Sequence, residues 1–421
     1  MSKTGIVYHE DMMKHECEWD TTHPECPGRF QSCLDLLKES NTLKKCHVLP
    51  SREATNEEIL KVHSQSHLQL LENTQDGVDN LEEFSSHYDS VYFNAHTSRA
   101  AKLAAGCSVT LVEAVIQEKI KNGIALVRPP GHHATHNEFG GYSFLNNIAI
   151  AAKVALESYG LTRILIVDWD IHHGQGTQRA FYEDPRVVYF SIHRYENAKF
   201  WPHLRESNYD YIGKGEGTGF NINIPLNSVG CGDMDYIHIF EEILEPIAKQ
   251  YIPELIIVSA GFDSALGDPK GQMQVTPQCF ALLCQKLMKI SENKLALILE
   301  GGYCIKALSH CVLASINTLL NFPLPPLPEQ KQNVSQTLKD VSKRIKVLLK
   351  DNWKFDVSPL KSPTEIEEIE LNVAKHCQDG PPFPTRDDYW PPVSETTMKM
   401  LEEVTEKLRQ YYKLCNSYTN E

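Results

Sequence analysis

Short, continuously apolar segments alternate along the chain with longer stretches of helical periodicity. The apolar segments predict strands over residues 123–127, 163–167, 187–192, 255–260 and 295–299. Runs of this length that are rich in β-branched residues are typical of strands buried on both faces of a parallel sheet. Helical periodicity predicts helices over residues 97–121, 147–158, 236–251 and 277–291. Strands that alternate with helices indicate an α/β fold with a mostly parallel sheet.

Polar or glycine-supported segments follow all of these predicted strands. They are Arg128-Pro129-Pro130-Gly131-His132-His133, Asp168-Trp169-Asp170-Ile171-His172-His173-Gly174, His193-Arg194-Tyr195, Gly261-Phe262-Asp263 and Glu300-Gly301-Gly302-Tyr303. The carboxyl ends of parallel strands lie at one edge of a sheet, and ligands of open α/β proteins bind there. We therefore expect a catalytic crevice lined by these five segments.

Three residues of these segments form a candidate metal site. Asp170 and His172 are two residues apart, so an extended backbone directs both side chains to one side. Asp263 follows the bend at Gly261 and is the best third ligand. Three protein ligands and an open position for water are what a hydrolytic zinc site needs. The alternatives are a turn with capping carboxylates for the Asp-x-Asp pair and a strand-end cap for Asp263.

The histidine doublet and one tyrosine are candidate catalytic groups. Adjacent buried histidines are costly unless each has a partner, and Asp168 is a natural partner for one of His132 and His133. The other could then act as a general base on a metal-activated water. Tyr303 follows two glycines and could donate a hydrogen bond to a carbonyl oxygen that becomes negative in the transition state. Taken singly, each of these residues is more often structural.

Two aromatic residues lie in loops on the crevice side of the predicted sheet. Tyr142 follows Gly140-Gly141, and Trp201 stands in Phe200-Trp201-Pro202. They could wall a narrow slot for an aliphatic chain, although each alone is more often part of a core.

Composition restricts the class of protein. The 421 residues carry a net charge of −14, from 41 basic and 55 acidic residues, which opposes nonspecific nucleic-acid binding. Twelve cysteines without a Cys-x-x-Cys motif predict a reduced, intracellular protein. Residues 1–20 are charged throughout and predict no secretory signal, and no apolar run is long enough to span a membrane.

The composition changes after Asn321. A proline-rich exit from the core precedes a predicted amphipathic helix over 335–353, which we expect to pack back on the domain. A second proline cluster at 381–384 precedes a helical pattern over 394–414. We predict a catalytic domain over residues 1–353 and a helical C-terminal extension over 354–421.

The ordered set of motifs resembles the zinc-dependent histone deacetylases, which have an arginase-like α/β fold. The matching segments are Arg128-Pro129-Pro130-Gly131-His132-His133, Val167-Asp168-Trp169-Asp170-Ile171-His172-His173-Gly174, Ala260-Gly261-Phe262-Asp263 and Leu299-Glu300-Gly301-Gly302-Tyr303. They cover roughly residues 4–320. The segments Ser191-Ile192-His193-Arg194-Tyr195, Phe200-Trp201-Pro202 and Gly267-Asp268-Pro269 are most similar to class IIb, which contains the tandem-domain tubulin deacetylase and the polyamine deacetylase.

The resemblance implies a role for each matching residue. Asp170, His172 and Asp263 would bind zinc. His133 would be the general base and acid, with His132 as its electrostatic companion and Tyr303 as the carbonyl polariser. The acetyl-lysine tunnel would be lined by Gly141, Tyr142 and Trp201, with His23 and Pro24 at its rim. Structural potassium would bind at Asp168, Asp170, His172, Ser191 and Ile192, and a second potassium at Phe181, Asp184, Val187 and Phe220.

Two positions depart from relatives. Gln175 stands where many have Asp or Asn as the partner of the second histidine, so the histidine is tuned by a neutral group. Lys270 stands where the polyamine deacetylase has a rim glutamate, and it matches the first catalytic domain of the tandem enzyme. A cationic rim should repel a polycation, so the sequence favours a lysine deacetylase over an acetylpolyamine deacetylase.

We therefore expect hydrolysis of the acetyl amide of acetyl-lysine in tubulin-like or histone-like proteins or peptides. Hydroxamates should inhibit, and neither nucleic acid nor a membrane should be a direct partner. The expected location is the cytoplasm, with the nucleus as a second compartment. A catalytically silent scaffold that binds peptides or ubiquitin is a further alternative. The complete set of catalytic residues argues against that scaffold.

Overall fold

A single parallel sheet organises the chain in a computed structural model that describes residues 3–75, 77–329, 333–355 and 392–418. Its strands are β1 (Lys3–Val7), β2 (His47–Val48), β3 (Ile120–Ala125), β4 (Ile164–Asp168), β5 (Val187–Arg194), β6 (Asn221–Leu226), β7 (Leu255–Ala260) and β8 (Leu295–Leu299). The spatial order is β2-β1-β3-β8-β7-β4-β5-β6, and every pairing is parallel. The predicted fold class is confirmed.

The five predicted strands are β3, β8, β7, β4 and β5, which are consecutive in the sheet. β7 and β8 have the predicted bounds, and β4 and β5 differ by one or two residues. β3 begins at Ile120 rather than 123, because its first residues pair with β1 before the apolar run starts. The prediction missed β1, β2 and β6. The last of these contains Asn223 and Pro225, which break the apolar pattern.

Helices flank this sheet. They are α1 (Pro27–Glu39), α2 (Asn56–Ile59), α3 (Gln65–Asn73), α4 (Leu81–Ser85), α5 (Thr97–Ile116), α6 (Asn147–Ser158), α7 (Gln175–Phe181), α8 (Asp233–Ile239), α9 (Glu245–Tyr251), α10 (Pro277–Ile290), α11 (Ile305–Leu319), α12 (Gln336–Leu348) and α13 (Glu395–Tyr418). One group packs α5 against α6 and the strands beneath them, and a second packs α1, α10 and α11 together.

Two predicted helices differ from the structure. The helix predicted over 97–121 ends at Ile116, because the chain must turn before β3 begins at Ile120. The helix predicted over 236–251 begins earlier, at Asp233, and is interrupted by a π-helical turn over Phe240–Leu244. Pro246 follows that turn, where its missing N–H costs least at the start of the next helix.

A buried aromatic cluster fixes the loops that follow β4 and β7. The Trp169 ring lies 6.3 Å from Phe262 and 5.7 Å from Phe280 between centroids, and all three side chains are fully buried. Burial of one Phe-sized side chain contributes about 1.5–3 kcal/mol. Because Trp169 anchors its loop in the core, its neighbours Asp168 and Asp170 are held in a defined position.

The C-terminal segments pack on the domain. Trp353 donates from Nε1 to the Gly219 carbonyl at 2.7 Å, and α12 buries Leu338 and Ile345, so the expected packing of this helix is confirmed. α13 covers the predicted pattern over 394–414, whereas the proline cluster at 381–384 lies outside the described residues. The boundary at residue 353 stays a prediction. Each helix of the described ranges is too short or too polar to cross a bilayer.

Candidate active site

Four neighbouring strands, β3, β8, β7 and β4, deliver the predicted site residues to one edge of the sheet. Asp170 and His172 follow β4, and Asp263 follows the adjacent β7. The His172 Nδ1 atom lies 2.9 Å from Asp263 Oδ2 and 3.2 Å from Asp170 Oδ1. All three side chains are buried, and their ligand atoms lie within 4.8 Å of one another. The predicted metal triad is therefore assembled.

The electrostatics of the triad fit a divalent cation. Burial and the neighbouring Asp170 carboxylate raise the pKa of Asp263 to about 7. Two buried carboxylates so close together repel each other unless a positive charge lies between them. Two carboxylates and one imidazole are a ligand set that binds Zn²⁺ and leaves an open coordination position.

Backbone groups orient the two carboxylates. The N–H of Gly301 donates to Asp170 Oδ2 at 2.9 Å, and the N–H of Ile171 donates to Asp263 Oδ1 at 2.7 Å. A Cβ atom on Gly301 would lie 2.5 Å from Asp170 Oδ2 and 2.6 Å from Asp263 Oδ2. Only glycine permits this approach, so the loop after β8 closes against the metal ligands.

His132 is held as a charged residue. Its Nδ1 lies 3.0 Å from Asp168 Oδ2, and the Tyr189 hydroxyl donates to the same oxygen at 3.0 Å. Burial lowers the pKa of this imidazole, but the carboxylates of Asp168, Asp170 and Glu300 outweigh burial and raise it to about 10. The predicted pairing of Asp168 with one member of the doublet is present.

His133 is held as a neutral residue. Its Nδ1 lies 2.8 Å from Gln175 Oε1 at the start of α7. Burial lowers its pKa well below the usual value, and the neighbouring charges of His132 and His172 lower it further. The two rings lie 3.8 Å apart, and the pKa of His132 is raised whereas that of His133 is lowered. A neutral imidazole can accept a proton, which suits a general base.

The family model for the histone deacetylase domain matches residues 23–319, which is most of the chain and includes every residue of the site described above. The chain belongs to the histone deacetylase family.

Individual relatives of this histone deacetylase are similar over most of the chain. It is 42% identical over 386 residues to the polyamine deacetylase HDAC10 of Homo sapiens. This alignment covers 90% of this chain and 56% of the relative. It is 47% identical over 327 residues to HDAC10 of Mus musculus, covering 77% of this chain and 49% of the relative. The chain thus spans about half the length of these curated relatives. The expected resemblance to class IIb is confirmed.

A solved structure supports the fold. The crystal structure of the HDA15 HD domain superposes on this histone deacetylase with a TM-score of 0.77 and 32% sequence identity. The match covers 89% of this chain and 99% of that domain. The predicted arrangement of one parallel sheet between helices is therefore shared with the HDA15 HD domain.

The predicted tunnel residues of the deacetylase meet around His133. The Trp201 ring stands at 90° to the His133 ring, with centroids 4.4 Å apart. A Cβ atom on Gly141 would lie 2.5 Å from His133 Cδ2, and Gly141 has a positive φ of 50°. Phe200, which was not among the predicted site residues, stacks on His172 at 5.2 Å. These contacts form a narrow wall beside the metal triad.

Tyr303 and Tyr142 lie on another side of the site. Their ring centroids are 5.8 Å apart, and the His23 ring lies 4.9 Å from Tyr142. Tyr142 has a positive φ of 65°, and its N–H donates to the Ser90 carbonyl at 2.7 Å. The structure thus places the predicted rim residue His23 next to the tyrosine pair. Pro24 follows His23 and is partly buried.

Lys270 is buried rather than exposed at the rim. Its side chain donates from Nζ to the Tyr142 hydroxyl at 2.7 Å, and Nζ lies 5.1 Å and 5.2 Å from the ring centroids of Tyr142 and Tyr303. Only 4% of the residue is exposed. The rings of Tyr142 and Tyr303 therefore cover the ammonium group of this predicted rim residue.

The predicted potassium ligands also fall into two sets in space. Asp168 pairs in register with Ser191 between β4 and β5. In the second set, the Phe181 carbonyl accepts from the Asp184 N–H at 3.0 Å, and the Asp184 carbonyl accepts from the Val187 N–H at 3.2 Å. Potassium binding stays a prediction.

A buried ion network that was not predicted lies beside the site. Glu25 accepts from Arg128 at 2.6 Å and 3.0 Å and from Arg29 at 2.9 Å. Arg29 also donates to the carbonyls of Gly302, at 2.7 Å, and Glu300. Arg128 lies in one of the motifs, but widely spaced charges in a sequence give no signal that they pair inside a fold.

Two further carboxylates were missed. Glu300 Oε2 accepts from the N–H groups of Gly131 and His132 at 2.6 Å and 3.2 Å, and it joins the histidine loop to the tyrosine loop. Asp89 Oδ2 accepts from Trp201 Nε1 at 2.9 Å and fixes the tunnel indole. Glu300 lies within a motif and could have been suspected, whereas Asp89 is an isolated loop residue.

Proposed function

We propose that this deacetylase hydrolyses the acetyl amide of acetyl-lysine side chains in proteins or peptides. The observation that supports the proposal is that the metal triad, a neutral His133 and Tyr303 converge beside a wall of aromatic rings formed by Trp201 and Phe200. Such a wall suits a long aliphatic side chain that ends in a small acyl group. An acetyl-lysine side chain has this shape.

Zinc held by Asp170, His172 and Asp263 would supply a Lewis acid that polarises the amide carbonyl and favours deprotonation of a water molecule. His133 takes the proton from that water, because its ring is neutral and stands beside the triad. The water oxygen forms a bond to the carbonyl carbon. His133 returns the proton to the amide nitrogen as the carbon–nitrogen bond breaks, which leaves the lysine amine and acetic acid. The acid proton then passes to the amine, so the products are a lysine ammonium group and acetate.

In this scheme Tyr303 stabilises the developing negative charge on the carbonyl oxygen, and His132 lowers the proton affinity of His133. The phenol of Tyr303 donates a hydrogen bond to the carbonyl oxygen as it becomes negative. His132 is cationic beside Asp168 and keeps His133 from binding a proton too tightly in the resting state. The loop glycines Gly301 and Gly302 let the phenol reach the site.

Lys270 favours acetyl-lysine over an acetylated polyamine. Its ammonium group lies beside Tyr303 and Tyr142, where a polycationic substrate would enter. Like charges oppose each other most strongly where water is excluded. An acetylpolyamine deacetylase is the second candidate, and it is favoured by the names of two relatives, the polyamine deacetylases HDAC10 of Homo sapiens and Mus musculus.

The test is a side-by-side measurement of kcat/KM on an acetyl-lysine peptide, on a peptide ending in acetyl-lysine with a free carboxylate, and on N-acetylated polyamines. We expect both lysine substrates to exceed the polyamines. A preference for acetylspermidine would replace the lysine proposal with the polyamine one. Absence of acetate release from all three would remove both.

Four accompanying proposals follow from the sequence. The physiological substrates are acetylated tubulin-like or histone-like proteins, and hydroxamates bind the metal site. Structural potassium occupies the two carbonyl-rich sets beside β4 and β5. The protein works in the cytoplasm, with the nucleus as a second compartment, which is supported by eleven free cysteines among the described residues.

A further inference from the structure

We propose that Asp268 is a positioning residue that fixes the Tyr303 loop and the Lys270 loop relative to each other. Asp268 Oδ2 accepts from the backbone N–H groups of Tyr303 at 2.6 Å and Cys304 at 3.0 Å. Asp268 Oδ1 accepts from those of Lys270 at 2.9 Å and Gly271 at 3.2 Å. One carboxylate thus holds four backbone donors from two loops.

The two loops come from different parts of the chain, so this contact is more than a local turn. Asp268 lies 35 residues before Tyr303, and the residue is only 3% exposed. A buried carboxylate with four N–H donors is a strong acceptor, and its removal leaves those donors without a partner. The Asp268 carboxylate therefore couples Lys270, which selects the substrate, to Tyr303, which polarises the substrate carbonyl.

The C-terminal helix α13 packs against Gly267, the residue before Asp268. Gly267 has a positive φ of 91°, and a Cβ atom there would lie 2.9 Å from Leu401 Cδ2 on α13 and 3.7 Å from Cys304 Sγ. Leu401 is fully buried. The backbone next to Asp268 is therefore packed closely against α13.

This inference rests on the proposed function, because it assigns Asp268 a role through Tyr303. Asp268→Asn keeps the size of the side chain but turns one acceptor oxygen into an N–H₂ donor. Two of the four backbone donors then face another donor. The Tyr303 loop should shift while the triad, which Asp268 does not contact through any of these four bonds, retains its metal.

Asp235→Asn is a matched control. Asp235 is also buried, and it accepts from the N–H groups of Gly232 at 2.9 Å and Ser335 at 3.1 Å, away from the tyrosine loop. Both variants should lower Tm by a similar amount. Asp268→Asn should in addition lower kcat by about 10- to 100-fold with a small change in KM, since a displacement of about 1 Å costs on this scale. Asp235→Asn should keep kcat.

A double-mutant cycle separates positioning from general damage. On a Tyr303→Phe background, Asp268→Asn should change kcat by less than about threefold, because the group through which it acts is gone. Amide hydrogen exchange should also speed up at Tyr303 and Cys304 in Asp268→Asn. In the wild-type protein those two amides should exchange slowly, and this can be measured even if a variant fails to fold.

The outcomes are distinguishable. Wild-type protein without activity on any acetyl amide would remove the proposed function. Active wild-type protein with equal kcat values for Asp268→Asn and Asp235→Asn would overturn only the positioning role. The positioning role would also be overturned if Asp268→Asn lowered kcat by the same factor on the Tyr303→Phe background. Rapid exchange of the Tyr303 and Cys304 amides in the wild-type protein would overturn it as well.

Discussion

The Nδ1 atom of His172 lies 2.9 Å from Oδ2 of Asp263, although 91 residues separate them in the chain. The distance follows from the pairing of β4 with β7, whose carboxyl ends stand side by side. A metal site built in this way depends on the sheet, which brings the two ligand loops together, and on the loop N–H groups of Gly301 and Ile171, which orient the carboxylates. Variants of single ligands should therefore lose the metal and keep the fold.

Tyr303→Phe should lower kcat by about 10²–10³-fold, which is the effect of removing one donor to a developing oxyanion. The ring and its contacts with Arg29 and Lys270 would be kept, so KM and Tm should change little. Steady-state kinetics on an acetyl-lysine peptide check this. A variant within about threefold of wild type would exclude Tyr303 from the chemistry.

His133→Ala should reduce kcat more than His132→Ala. General acid–base catalysis is worth about 10²–10⁴-fold, and only His133 combines a neutral ring with a place beside the triad. His132 acts through its charge, which Asp168 holds in place. Equal losses in the two variants, measured at equal zinc content, would contradict this division of roles.

The pH dependence follows from the lowered pKa of His133. The base is active when neutral, so activity should be constant near neutral pH and fall as the pH drops through its pKa, below the usual 6.5. In Gln175→Asp a carboxylate replaces the amide that lies 2.8 Å from Nδ1 and stabilises the protonated ring. The acid limb should then move to higher pH, and a shift to lower pH would refute the pairing.

Glu25→Gln should destabilise the protein by about 3–5 kcal/mol, because two buried guanidinium groups lose their counter-charge. Burial opposes ionisation of Glu25, but Arg128 and Arg29 outweigh it and hold the pKa well below its ordinary value of 4.5. This stabilisation is complete above that value and is lost as the pH falls. Thermal unfolding at neutral pH measures it, and an unchanged Tm would show that the network adds no stability.

Lys270→Glu should reverse the preference between a substrate with a free α-carboxylate and acetylspermidine. A contact between the Lys270 ammonium and the substrate carboxylate is worth about 1–2 kcal/mol net, which corresponds to roughly a five- to thirtyfold preference. Because Lys270 is covered by two rings, added salt should weaken the preference only slightly. Lys270→Leu is the neutral control. If it left the ratio of the two kcat/KM values unchanged, Lys270 would have no role in substrate choice.

The sequence predicted the parts of the site that follow apolar strands. Asp170, His172, Asp263 and Tyr303 could be found because β4, β7 and β8 are uninterrupted apolar runs whose ends are easy to see. Strand order was not predictable from one sequence. The adjacency of β4, β7 and β8 had to be inferred from the chemistry of their ends.

The supporting residues were not predictable. Charged side chains usually lie on protein surfaces, so the burial of Glu25, Arg29 and Arg128 gave no signal in the sequence. Their burial depends on pairing across long sequence distances. Asp268 looks like an ordinary turn residue until the Tyr303 loop is placed beside it. β1 and β6 were missed because polar residues or proline interrupt them.

A metal titration of the metal-stripped protein determines whether deacetylation depends on zinc. Wild-type protein treated with a chelator should lose deacetylation of an acetyl-lysine peptide and regain it in proportion to added zinc, up to one equivalent per chain. Asp263→Ala, with its fold confirmed by circular dichroism, should bind zinc weakly and stay inactive. Full activity in metal-stripped wild-type protein would contradict the account.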